Sequence, residues 1–196
     1  TLNPDQAAAA EAIASAQGFA PFLLDGVTGS GKTEAYLEAA ARILSAEPTA
    51  QILILLPEIA LTQALIARIA DRFGAAPAEW HSAVAPPQRR RVWEAVRAGR
   101  CNIVVGARSA LFLPFVNLRL LVVDEEHDGA FKQEEGLVYH GRDLAVARAR
   151  IEGAAVVLAS ATPSLETLAN AQAGRYGWLK LRARHGAAVL PDIELI

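Results

Sequence analysis

From Gly26 to Thr33 the chain reads Gly-Val-Thr-Gly-Ser-Gly-Lys-Thr, which fills every fixed position of the G-x-x-x-x-G-K-[ST] pattern. The pattern works where a buried strand feeds a glycine turn that opens a helix. Its flanks comply: the apolar run Pro21 to Leu24 precedes it, and the helix formers Glu34 to Leu44 follow. Gly26, Gly29 and Gly31 let the backbone turn tightly, so that the N–H groups of the loop, those of Val27, Thr28 and Ser30 included, point at phosphate oxygens. The helix N-terminus adds its partial positive charge. Lys32 reaches the terminal phosphates of a nucleoside triphosphate, and Thr33 offers a hydroxyl to Mg²⁺. Of nineteen basic residues only Lys32, Lys132 and Lys180 are lysines, yet one stands where the pattern demands it.

Around this loop the sequence alternates short apolar runs with amphipathic ones. Asn3-Pro4-Asp5-Gln6 opens a helix that runs to about Gln17, with Asn3 as N-cap and Gln6 as its reciprocal partner. Strands are expected at Phe22–Leu24, Gln51–Leu56, Glu79–His81, Asn102–Val105, Leu120–Val123, Ala155–Ala159 and Tyr176–Leu181. Helices are expected at Thr62–Phe73, Pro86–Ala98, Asp143–Ile151 and Ser164–Ala173. Continuous apolar strands between helices predict an α/β fold with a mostly parallel sheet covered by helices on both faces. Asp128 to Gly141 breaks the rhythm. It is polar, aromatic and glycine-bearing, and a loop of that length inside a compact domain usually carries function.

Leu120-Leu121-Val122-Val123 runs into Asp124-Glu125-Glu126-His127. Such a strand delivers Asp124 to the edge of the sheet beside the phosphate loop, where it can hold hydrated Mg²⁺. Glu125 is then placed to orient and deprotonate a water that attacks the γ-phosphate. Lys32, Asp124 and Glu125 are the expected catalytic set, and Glu126 and His127 the expected coupling residues. Ser160-Ala161-Thr162 follows the Ala155–Ala159 strand. Ser160 and Thr162 either bond the neighbouring acids or simply begin the next helix.

Composition sets outer limits. With 196 residues and 53% apolar content, one large domain with a buried core is the natural size. No apolar run reaches the roughly 18 residues of a membrane span, and residues 6 to 14 lack a basic leader. Cys101 is the single cysteine, which excludes an internal disulfide. It reads as a buried structural thiol in a reducing cytoplasm. No Cys/His cluster suggests zinc. The net charge of −2 lends no support to a nucleic-acid partner, so that case rests on local clusters. One is Arg89-Arg90-Arg91 with Arg97 and Arg100, either a DNA or partner patch or a solvated helix face. A chain without Met that opens Thr-Leu-Asn-Pro reads as a piece of something longer.

In order, the Gly-Lys-Thr loop, Asp-Glu-Glu-His and Ser-Ala-Thr resemble the first RecA-like lobe of superfamily 2 helicases of the DEAD/DEAH type, a P-loop NTPase fold. The segments Pro57-Glu58-Ile59-Ala60-Leu61-Thr62, Trp80-His81-Ser82 and Gly106-Ala107-Arg108-Ser109-Ala110-Leu111-Phe112 make the resemblance closer, as do Phe131-Lys132-Gln133 and the stretch from Ala159 to Glu166. Together they are similar to the bacterial primosomal replication-restart helicases, over essentially the whole chain. The resemblance implies an ATP-driven 3′→5′ DNA helicase that acts at abandoned forks in the bacterial cytoplasm, associated with the nucleoid. It implies single-stranded and forked DNA, primosome proteins and single-strand-binding protein as partners, and no membrane. Gln6 falls where related helicases read adenine, beside its capping role. Thr62, Arg108 and Ser109 correspond to residues that hold single-stranded DNA through its phosphates. The segment Asp128–Arg142 looks like the aromatic-rich loop of these and RecQ helicases. In it Phe131 and Tyr139 would stack on bases, and Lys132, His140 and Arg142 would supply charge; otherwise the two rings anchor the loop in the core. Residues 1–196 are then lobe one alone. The second lobe with its arginine finger, the fork-binding domain and the zinc-binding cysteines fall outside it, so little turnover is expected. The competing readings are a P-loop ATPase that never touches nucleic acid, a non-catalytic remnant, and a RecG-like translocase.

Overall fold

The structure is a computed structural model that describes residues 2–57, 63–134 and 138–182. Seven parallel strands form its sheet: β1 (Ala20–Gly26), β2 (Gln51–Leu55), β3 (Ala78–Trp80), β4 (Ile103–Gly106), β5 (Leu118–Asp124), β8 (Ala155–Ser160) and β9 (Gly177–Leu181). Two further strands, β6 (Lys132–Gln133) and β7 (Tyr139–His140), pair antiparallel in a separate ribbon. Among the described residues six α-helices accompany them: α1 (Pro4–Ala14), α2 (Lys32–Ala46), α3 (Gln63–Phe73), α4 (Pro86–Arg97), α5 (Gly141–Glu152) and α6 (Leu165–Gln172). The order across the sheet is β3-β4-β2-β5-β8-β1-β9. The expected α/β architecture is therefore present, and the main sheet is parallel throughout.

The apolar runs are continuous because each strand is covered twice. Ile52, Ile54, Val105, Leu120, Val122 and Val157 face α1, α2 and α3, where Ile13, Tyr36, Leu37 and Ile69 complete one core. Their neighbours Leu53, Leu55, Val104, Leu121, Val123, Val156 and Leu158 face the other way. There they meet Val92 and Val96 of α4 and Ala145 and Ala149 of α5. Alternate residues of one strand thus serve opposite layers, as the pleat requires.

Element ends agree with the sequence expectation to within a few residues, and local chemistry explains them. At α1, Asn3 and Gln6 form the reciprocal cap: each side chain accepts the other's backbone N–H at 2.9 Å. The helix stops at Ala14, three residues before the expected Gln17. Cys101 is half-buried, with its thiol pushed up by burial and 3.5 Å from the Ile103 carbonyl.

The edge strand β3 approaches β4 closely at Gly106. A Cβ there would lie 2.4 Å from the Trp80 carbonyl, which already accepts the Ala107 N–H at 2.9 Å. Because the obstructing atom is backbone, it cannot swing aside. Gly106→Ala should therefore destabilise the protein by about 1–3 kcal/mol, read by urea unfolding. An unchanged midpoint would contradict this packing.

Candidate functional site: a nucleotide cavity and an adjoining groove

Three adjacent strands, β5, β8 and β1, end side by side, with Asp124 opposite Ala159 and Asp25 opposite Ser160. The loops after β1 and β5 line the site, and the segment after β8 bonds the turn after β5. The loop after β1 turns through Gly29 and Gly31, both left-handed with φ 79° and 81°, and α2 begins at Lys32. Gly26 is tight for a different reason: a Cβ would sit 2.5 Å from Ser30 Oγ and 2.9 Å from Leu181 Cβ. The Ser30 N–H donates to the Val27 carbonyl at 3.0 Å. From behind, Gln6 Nε2 donates to the Ser30 carbonyl at 2.8 Å.

A cavity of about 290 Å³ opens over this loop, lined by Thr28, Gly29, Gly31, Lys32, Thr33, Asp124 and Glu125, with Glu34 and Arg68 at its side. The two motifs far apart in sequence thus meet in one concavity. Lys32 is only 7% exposed, and its ammonium donates to the Gly26 carbonyl at 2.8 Å. Asp124 is buried, and burial pushes its carboxyl up despite a 2.9 Å hydrogen bond from the Tyr36 hydroxyl. Its other oxygen accepts the Glu125 N–H at 3.1 Å. Gly26, Val27 and Ser30 shape the loop without lining the cavity.

The three successive acids face three environments. Glu125 has φ +52°, rare for a residue with a side chain. This left-handed step holds the Glu125 carboxylate on the open side of the cavity while Glu126 turns into the protein. The Glu126 N–H donates to the Ala159 carbonyl at 3.1 Å. Its carboxylate, 0% exposed, accepts from Ser164 N at 2.7 Å, Ser164 Oγ at 3.0 Å and Thr167 Oγ1 at 3.1 Å. Arg142 Nη1 stands 3.5 Å away. His127 Nδ1 lies 2.8 Å from Ser160 Oγ and 3.7 Å from Glu125 Oε2. Ser160 Oγ also accepts the Thr162 N–H at 3.0 Å, while the Thr162 side chain is exposed. The Ser-Ala-Thr segment is expected to bond the neighbouring acids or to begin the next helix, and the structure departs from both: the contact is to a histidine, and the cap lies just beyond the segment. Ser160 bonds the histidine of the acidic turn, and Ser164 caps α6.

A second, larger concavity of about 470 Å³ lies on the same side of the sheet, lined by Leu56, Pro57, Ser82, Arg89, Ala107, Arg108, Ser109, Ala130, Phe131, Gln133 and Tyr139. It gathers the segments after β2, β3 and β4 together with the loop after β5. Arg108 Nη1 donates to the carbonyls of Ala130 at 2.9 Å and Lys132 at 2.5 Å, tying two of these segments together. Tyr139 meets Phe112 edge to face at 5.6 Å. Lys132 is exposed and pairs with Glu134 at 2.5 Å. Thr62 lies outside the described residues.

Three expectations need correction. Phe131 offers no stacking face: it is 1% exposed and sits in the core under α5, and a Gly141 Cβ would already touch its ring at 3.2 Å. Arg142 is not a free cation for DNA. Its guanidinium, 8% exposed, is held by Asp143 at 2.8 Å, Ser164 Oγ at 2.7 Å and Glu126. Gln6 is fully buried, with its carbonyl on Asn3 and its amide on the phosphate loop, so it presents no edge to adenine.

One group escaped the sequence reading, and a second belongs to the basic patch whose role that reading left open. Arg68 of α3 reaches the nucleotide cavity and ion-pairs with Glu34. Arg89 belongs to the groove, with its guanidinium 4.7 Å from the Trp80 ring centroid. The basic stretch on α4 is therefore not merely solvated. The spacing of Trp80 to Arg89 across a turn gives no periodic signal that would have revealed the pair.

Among the described residues no group of three His, Cys, Asp or Glu side chains could hold a metal ion, and no helix is long and apolar enough to cross a membrane. Structures with the same fold include RecG bound to a three-way DNA junction, with TM-score 0.67 and 19% identity over 95% of this chain and 24% of that one. The helicase MrfA bound to DNA and AMPPNP gives TM-score 0.66 and 21% identity over 93% of this chain and 27% of that one. Replication restart protein PriA of Rickettsia felis is 46% identical over 90% of this chain and 27% of its own length. PriA of Haemophilus influenzae is 45% identical over 95% and 25%, and PriA of Bacillus subtilis 43% identical over 89% and 22%. The chain spans about a quarter of the length of these relatives. The sequence profile of the DEAD/DEAH box helicases matches residues 3–171. With that match and the cavity its motifs enclose, the chain belongs to the DEAD/DEAH box helicase family.

Proposed function

We propose that residues 1–196 are the first of two lobes of a 3′→5′ DNA helicase that couples ATP hydrolysis to unwinding during replication restart. One observation carries the reading: Lys32, Thr33, Asp124 and Glu125 line a single cavity. Lys32 and the loop N–H groups would take the β- and γ-phosphates. The oxygen donors Thr33 and Asp124 suit Mg²⁺, which uses few protein ligands and otherwise keeps water and phosphate oxygens. Mg²⁺ would neutralise charge on the triphosphate. Glu125, open to the cavity, would orient the attacking water and accept its proton. Similarity to PriA at 43–46% identity favours replication restart over a RecG-like role, where identity is 19%.

The adjoining groove would hold single-stranded DNA. Arg89 and Ser109 would meet phosphates, and Tyr139 would offer a face to a base. The loop after β5 begins at the catalytic acids and ends at Arg142, which bonds Ser164, itself bonded to Glu126. Together with the His127–Ser160 contact, this provides a route from bound strand to Glu125. A second lobe would contribute an arginine worth about 10³–10⁵ in rate. Primosome proteins, single-strand-binding protein and forked DNA are the partners this role calls for, in the cytoplasm at the nucleoid.

The test uses the full-length parent, comparing ATP hydrolysis with and without forked DNA. The wild type should be stimulated by the fork, and Lys32→Ala should lose hydrolysis by at least about a hundredfold. Fork-independent hydrolysis would contradict the helicase reading. Arg89→Ala in the same parent should weaken single-strand binding across all sequences and reduce the salt slope by about one. A slope unchanged within error would remove Arg89 from the interface.

Keeping Asp124 buried has a stability consequence. Its folded-state carboxyl holds a proton more tightly than the unfolded one does. The group thus favours the fold below the ordinary aspartate range, and that contribution is lost as pH rises through the raised folded value. Asp124→Asn should therefore raise the Tm of the nucleotide-free chain at pH 7, by an amount that shrinks as pH falls. The same variant should lose the Mg²⁺ dependence of nucleotide binding. A lowered Tm at pH 7 would overturn this account of the acid.

A further inference from the structure

Tyr36 lies one turn into α2 from the phosphate loop and is wholly buried in the core beneath the nucleotide cavity. A buried phenol must find a partner for its O–H. The partner here is Asp124 Oδ2, at 2.9 Å. Thr33 precedes Tyr36 by one helical turn, so both side chains leave α2 on the same face.

We infer that Tyr36 is the positioning residue of the divalent-cation site, its hydroxyl fixing the orientation of the Asp124 carboxylate across from Thr33. This rests on the nucleotide reading above and adds a residue that touches neither phosphate nor metal. Its geometry is specific. Asp124 has two oxygens: Oδ1 accepts the Glu125 N–H and Oδ2 accepts the Tyr36 O–H. With both bonds in place the carboxylate cannot rotate, and each oxygen keeps lone pairs for a cation. Removing the phenol frees the Asp124 carboxylate to turn. Hydrogen-bond partners behind metal ligands typically alter metal affinity about 10–100-fold.

The experiment compares the 196-residue chain with its Tyr36→Phe variant, by titrating Mg²⁺ against binding of a fluorescent, non-hydrolysable ATP analogue. The expected result is a rise of about tenfold in the Mg²⁺ midpoint, with affinity for the metal-free analogue in EDTA unchanged. Thermal unfolding in EDTA serves as a check that both chains are folded. In an Asp124→Asn background the same substitution should have no further effect on Mg²⁺ dependence, because the group it acts through is gone. An unshifted Mg²⁺ midpoint would overturn the inference. So would an equal loss of affinity with and without Mg²⁺, which would mark Tyr36 as a packing residue only. If the wild-type chain bound the analogue with no Mg²⁺ dependence, the cation site itself would be wrong, and this inference with it.

Discussion

Everything functional in this molecule depends on the parallel pairing of β5, β8 and β1. Parallel register aligns strand ends, so residues nearly a hundred positions apart in sequence finish on one line. Asp124 stands opposite Ala159, and Asp25 opposite Ser160. The phosphate loop, the acidic turn and the Ser-Ala-Thr segment are the continuations of those three strands. The pairing survives because both faces are covered by helices, which keeps water from the ladder and commits each strand to a full apolar run.

On that edge the chain divides polar work by direction. Asp124 looks into the nucleotide cavity, Glu125 stays at its mouth, and Glu126 points into a buried polar cluster with Ser164, Thr167 and Arg142. Three consecutive carboxylates cannot diverge so far along a regular strand, which alternates between only two faces. The left-handed Glu125 supplies the extra turn. Strain at such a residue persists only where its surroundings over-determine it. Here the Glu125 N–H on Asp124 and the Glu126 N–H on Ala159 do so. A buried carboxylate such as Glu126 would be costly without the four hydrogen bonds it accepts from Ser164, Thr167 and Arg142. Satisfied as it is, it fastens α5 and α6 to the acidic turn.

The strands, the helices and the convergence of two motifs on one cavity were legible in the sequence, because apolar period and glycine placement are local signals. Residues whose role depends on which way a side chain turns were not. Phe131 and Tyr139 both lie in an aromatic loop, yet the short β6–β7 ribbon drives one ring into the core and keeps the other at the groove. A two-residue strand leaves no periodicity to read. Arg142 looks like a surface charge until Glu126 is known to be buried beside it. Arg68 reaches its cavity from an amphipathic helix that gives no sign of it, and Arg89 from a basic helix whose composition fits a binding patch and a solvated face equally. Gln6 satisfied a capping pattern and also braces the phosphate loop, which no local pattern could indicate.

The most direct test is a crystal structure of this chain with Mg²⁺ and a non-hydrolysable ATP analogue. The account predicts the triphosphate on the loop from Gly26 to Thr33, Lys32 released from the Gly26 carbonyl onto the phosphates, and the metal between Thr33 and Asp124. A nucleotide seated elsewhere, or a metal bound without Asp124, would contradict it.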